Sequence, residues 1–235
     1  MKRACCGLVS VMVWSIWISG VAAQDPASVP LSKSARLPLP VSLDTLPTAM
    51  KDALTKVIAA PTITAIAPAE EFASKSETYL WLLDHPDRVC LAWKRLNVEA
   101  IDIRCLEDGR FTWKDGQGSE LTWRTIVKNG EGRIWYAEGK FNPGSLFPTV
   151  PVRAVAVLRH GVKKDGDGEP LIRHQVEVFL QTDSKTANLI TRLIGPAAPR
   201  MAEQGAEQLL MFFSGIAKYV DRHPTKLQPL LAEKK

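Results

Sequence analysis

The residues best suited to chemistry are a few histidines and carboxylates set in alternating sequence. His174 lies within one such stretch and Glu138 near the end of another. If both faced one cavity they could form an acid/base pair, with burial moving their pKa values towards neutrality. Cross-strand neighbours of these types more often pair in solvent. His85 is flanked by Asp84 and Asp87, and a carboxylate can orient an imidazole as a base. Asp84-His85-Pro86-Asp87 also spells a helix corner. The residue before proline leaves the α region, the proline opens a new helix, and Asp87 suits its first turn. His223-Pro224 repeats the pattern, which favours the corner.

Other candidates are weaker. Ser119 and Ser184 lack the G-x-S-x-G frame of an exposed nucleophile and read as a turn residue and a helix cap. Asp165-Gly166-Asp167-Gly168-Glu169 gathers three carboxylates without EF-hand spacing and reads as an acidic hairpin tip. Cysteine and histidine spacings do not suit zinc. No catalytic set, metal site or cofactor is assigned.

The elements that must position any site follow a leader. Lys2 and Arg3 precede an apolar run over residues 4–18, and Val21-Ala22-Ala23 closes it with small side chains. This is the layout of a signal peptide cut after Ala23, which predicts a soluble exported protein, periplasmic or extracellular. The alternative is an uncleaved anchor with Trp14 and Trp17 at the interface. The net charge of +5 is interspersed with acidic residues, unlike the basic stripe that nucleic acid requires. Cys5 and Cys6 leave with the leader. In an oxidising compartment Cys90 and Cys105 are candidates for one disulfide, or else two separate thiols.

Residues 24–47 are rich in proline, serine and small residues and read as a flexible linker. A short N-terminal helix is predicted over 48–60, from Leu46, Met50, Leu54, Val57 and Ile58. A single domain is predicted over 61–223, with a tail over 224–235. Within it come a strand at 62–67, helices at 76–83 and 86–96, then six alternating stretches between 98 and 181. Asn129-Gly130 is a strong hairpin signal. Short turns between neighbours imply an antiparallel meander. Residues 184–194 read as helix, and residues 200–222 form a longer one whose apolar stripe includes Leu209, Phe212, Phe213 and Ile216.

This order of elements resembles the helix-grip arrangement of START-like and polyketide-cyclase-like proteins. The resemblance implies an α+β fold in which a curved antiparallel sheet of about seven strands wraps a long C-terminal helix and encloses an apolar cavity. Leu82-Leu83-Asp84-His85-Pro86-Asp87-Arg88, Ile134-Trp135-Tyr136-Ala137-Glu138-Gly139-Lys140 and Thr182-Asp183-Ser184-Lys185 also resemble segments of a group of uncharacterised exported proteins from planctomycete bacteria. That likeness implies export and supplies no catalytic residue.

Trp113, Trp123 and Trp135 fall on three successive predicted strands, where large rings could line a ligand cavity or fill a core. Leu146 and Phe147 lie between prolines in the 142–151 loop, a composition suited to a cavity rim. The expected function is binding of an apolar or lipid-like small molecule between sheet and helix, by Trp123, Trp135, Glu138, Leu146, Phe147, His174 and Phe213. The alternatives are a cell-envelope interaction module without a cavity, and an enzyme built on Glu138 and His174. Neither ligand identity nor oligomeric state follows from the sequence.

Overall fold

The computed structural model describes residues 38–115, 118–142, 149–164, 170–183 and 198–232. Its elements are α1 (Thr48–Ala59), β1 (Ile63–Ile66), β2 (Glu70–Ala73), α2 (Ser76–Asp84), α3 (Pro86–Arg95), β3 (Asp102–Cys105), β4 (Phe111–Lys114), β5 (Glu120–Asn129), β6 (Gly132–Phe141), β7 (Val150–Lys164), β8 (Pro170–Thr182), α4 (Ala198–Arg222) and α5 (Leu227–Leu231).

The eight strands form one antiparallel sheet in the order β1-β8-β7-β6-β5-β4-β3, with β2 also pairing β8. Strands β3 to β8 follow one another as the predicted meander. Its hairpins are made by local chemistry. Asn129 Oδ1 accepts from the backbone N–H of Glu131 and Gly132 at 2.9 and 3.0 Å, closing the β5–β6 turn. Gly109 takes φ +76° at the β3–β4 turn, a conformation that glycine adopts without steric cost.

The α3–β3 connection is equally specified. Asn97 adopts φ 59° just past the helix, with Val98 N–H donating to Trp93 O and Asn97 N–H to Lys94 O. This is the Schellman closure. Upstream, His85 is the corner between α2 and α3: its ring stacks on Trp81 at 4.1 Å and its Nδ1–H donates to the Trp81 carbonyl at 2.7 Å. His223 does the same at the end of α4, stacking on Tyr219 at 4.5 Å and donating to its carbonyl at 3.0 Å. Both histidines are committed to capping.

The sheet is covered on both faces. Alternation puts Trp123, Trp135, Ala137, Ala154, Ala156, Val178 and Leu180 on the inner face, towards α4. Val127, Ile134, Tyr136, Val155, Val157 and Phe179 face outward and are buried by Leu54 and Val57 of α1. The start of β6 is buried residue after residue because helices lie on both sides of it. Within the 24–47 segment, Leu39, Val41, Leu43 and Leu46 pack against the outer cluster, and Asn129 Nδ2 donates to the Pro40 carbonyl at 2.9 Å. The fold is thus the helix-grip α+β architecture, with α1 as a third layer.

Strand β2 was not expected. Glu70-Glu71 has little strand propensity of its own, and the segment extends because it pairs with β8, Glu70 opposite His174 and Phe72 opposite Ile172. The disulfide expectation is corrected: Cys90 is a buried free thiol and Cys105 an exposed one. Cys90 Sγ bonds the Ile101 carbonyl. Among the described residues no helix is long and apolar enough to cross a membrane, and no cluster could hold a metal ion.

Candidate functional site

A cavity of about 230 Å³ lies between the inner face of the sheet and the first half of α4. Small residues keep it open. Ala137 of β6 stands opposite Ala154 of β7, and Ala156 stands between Trp135 and Val178, so neighbouring strands present methyl groups where larger side chains would reach the helix. Across the gap α4 offers Ala202, Gly205 and Ala206, whose three- and four-residue spacing puts them on one face.

Aromatic rings form the sides. Trp113, Trp123 and Trp135 of β4, β5 and β6 line the cavity together with Phe212 and Phe213 of α4. Trp135 stacks on Phe213 with 5.9 Å between ring centroids and 16° between planes, and Trp123 stacks on Phe111 at 5.7 Å. Trp113 is buried, and its indole N–H has no hydrogen-bond partner among the described residues. No charged side chain is present among the described lining residues, and Gln208 supplies the only side-chain amide. At the distal end Leu121 and Leu180 connect the wall to Phe141, Val150 and Val152, where β6 ends and β7 begins.

The opposite end of the inner face is polar and closed. There His174 is fully engaged: the Tyr79 hydroxyl donates to Nδ1 at 2.7 Å, and Nε2–H donates to Glu70 at 3.0 Å. Glu70 also accepts from Ser214 Oγ at 2.8 Å and Lys218 Nζ at 2.6 Å, both from α4. The hydrogen bond from His174, with those from Lys218 and Ser214, holds the Glu70 carboxyl at about 2 against partial burial. Burial raises Tyr79 well above the usual phenol range, so it remains protonated. His160 meets the Tyr79 ring edge-on at 6.1 Å. Burial, reinforced by the nearby Arg133 and Arg159, pushes it down to about 4.

Trp123, Trp135 and Phe213 therefore come together on the cavity wall. His174 shares their face of the sheet but lies beneath β2 and α2, outside the lining. Glu138 is exposed on the outer face, where it accepts from the Tyr136 hydroxyl at 3.4 Å and lines a separate polar groove with Arg110 and Arg124. The acid/base pair that the enzyme alternative required is not formed, because its members stand on opposite faces. Leu146 and Phe147 lie outside the described residues, as do the acidic turn at 165–169, the 184–194 segment and the leader.

Sequence reasoning missed the alanines that create the cavity, Gln208, and the Glu70–Tyr79–Ser214–Lys218 set around His174. A usable signal existed for the first: Ala202, Gly205 and Ala206 form a small-residue face on a helix otherwise striped with large apolar residues. Glu70 carried no such signal, since its role depends on the β2–β8 pairing.

No family model matches the chain, and no curated protein matches it in sequence. Among solved structures, a conserved protein from Geobacillus kaustophilus aligns at 12% identity over 66% of this chain and 96% of its own, with a TM-score of 0.44. Hypothetical protein jhp0584 from Helicobacter pylori aligns at 10% identity over 81% and 99%, with a TM-score of 0.44. Ara h 8.0201 aligns at 19% identity over 67% and 97%, with a TM-score of 0.37. Likenesses of this order say nothing about chemistry, so function has to be read from the cavity's own walls.

Proposed function

We propose that the protein binds an apolar small molecule in the cavity between the sheet and α4. The observation that carries this reading is a continuous uncharged wall held open by small residues in register on β6, β7 and α4. An apolar cavity of this kind offers water almost no hydrogen-bond partners, and its walls lack the dispersion contacts that a packed core would give them. A ligand restores those contacts and removes its own surface from water at about 25 cal/mol per Å².

Leu146 and Phe147 belong to this proposal as ligand contacts. The Phe141–Val150–Val152 cluster flanks their connection and adjoins the cavity wall. Export is also part of the proposal, on the evidence of residues 1–23. It confines the ligand to the envelope or the exterior, and sequencing the mature N-terminus tests it. A cavity-free interaction surface has less support: the exposed large apolar residues among those described are Trp81, Val162 and Met211, on α2, β7 and α4.

Three wall tryptophans make intrinsic fluorescence a direct readout. Titration of the protein with naphthalene and with 1-decanol should show saturable binding of at least one. Ala156→Leu, which places bulk between Trp135 and Val178, should weaken that binding about tenfold or more by occupying the space. Absence of binding by both probes, or equal binding by wild type and variant, would overturn the reading.

A further inference from the structure

The cavity's dimensions and its single amide restrict what can fill it. At about 230 Å³ it is larger by half than the cavity of about 150 Å³ that accommodates one benzene. Five of the described lining residues are aromatic: Trp113, Trp123, Trp135, Phe212 and Phe213. Planar ligands match such surfaces. An ionised group inside would lose its hydration with no countercharge among the described lining residues.

Gln208 is the exception in this wall. It is half-buried at the edge of the apolar stripe of α4, lining the cavity beside Gly205, Leu209 and Phe212. Its amide makes no hydrogen bond to any described residue. The amide offers both donors and an acceptor, so it suits a hydroxyl, a carbonyl or an amine equally.

We infer that the ligand is a neutral, planar molecule of about two-ring size whose one hydrogen-bonding group meets Gln208. This rests on the cavity being a ligand site, as proposed above, and narrows it. Anionic groups wholly inside the cavity are excluded for want of a countercharge among the described lining residues, and a long acyl chain could enter only in part.

Binding of naphthalene, 2-naphthol and 2-naphthoate to the full chain, followed by tryptophan fluorescence and calorimetry, tests the inference. One net hydrogen bond makes 2-naphthol about three- to tenfold tighter than naphthalene. The unpaired carboxylate makes 2-naphthoate weaker than 2-naphthol by roughly a hundredfold or more. Gln208→Leu should abolish the preference for 2-naphthol over naphthalene, and Gln208→Met supplies a second variant of closer shape. An unchanged preference in both variants, or tight 2-naphthoate binding, overturns the inference and leaves the ligand site standing. Binding of 1-decanol but not naphthalene overturns the size and shape assigned to the ligand. Failure of every probe overturns the ligand site itself.

Discussion

Tyr79 and His174 are joined by a 2.7 Å hydrogen bond from the phenol to Nδ1, in a part of the core where both side chains are almost inaccessible to water. The bond commits the imidazole. Its other nitrogen is tied to Glu70, which in turn fastens Ser214 and Lys218 of α4 to the sheet. The polar end of the inner face is thereby a clamp between α2, β2 and α4, and the apolar end is left as the open one.

Tyr79→Phe removes the donor and keeps the ring, which packs edge-on against Phe72 at 5.5 Å. His174 Nδ1 is then buried without its partner. We expect a loss of about 1–3 kcal/mol in urea unfolding, with little effect on probe binding in the cavity. A wild-type midpoint would show that the hydroxyl contributes nothing.

Acid should weaken the fold in two stages. His160 binds its proton at about 4 in the folded chain against 6.5 ordinarily, so the unfolded chain takes up more protons in between and stability falls as pH drops from about 6.5 towards 4. Glu70 is depressed from 4.5 to about 2, so its contribution is fully present above 4.5 and is lost as pH falls through 2. Unfolding midpoints against pH should show both limbs. His160→Gln should flatten the upper one only, and Glu70→Gln the lower one only.

Gly215→Ala should destabilise the protein even though alanine is the better helix former, by about 1 kcal/mol. A Cβ at this position would lie 2.6 Å from Trp93 Cζ2. The indole cannot swing aside freely, because its Nε1–H donates to the Phe212 carbonyl at 2.9 Å. We expect a net loss of about 1–3 kcal/mol, and a double variant with Trp93→Leu that loses less than the sum of the two single losses. A stabilised single variant would mean that α4 shifts to accept the methyl group.

The two thiols should differ sharply in reactivity. Cys105 is exposed and should take up iodoacetamide in the native protein, whereas Cys90 is buried, with its pKa raised chiefly by that burial, and should react only on unfolding. Peptide mapping without reductant should recover both as free cysteines. A Cys90–Cys105 peptide would show that the α3–β3 connection rearranges.

Much of the fold was legible because local chemistry specifies it. Asn129 closes its hairpin with its own side chain, Pro86 ends one helix by starting another, and the α4 stripe announces a helix packed on a sheet. The illegible parts depend on partners distant in sequence. Glu70-Glu71-Phe72-Ala73 becomes a strand through β8, a hundred or so residues away. The cavity needs Ala137, Ala154 and Ala156 to meet Ala202, Gly205 and Ala206 across a gap that no local pattern defines.

By itself the sequence determined the β3–β8 meander, the helices that flank it and which residues alternate along each strand. Tertiary structure alone decided how those alternations are phased against one another. Glu138 pairs with Arg153, and Arg153 with Gln181, so Glu138 shares a face with the odd-numbered residues of β8. His174 is even-numbered and points the other way, into the core. Alternation is a property of one strand, but phase is a property of hydrogen-bonded register between strands, and a shift of one residue reverses every side chain. That single fact separates Glu138 from His174 and brings Trp123 and Trp135 to one face of the sheet, where α4 packs Phe213 against Trp135.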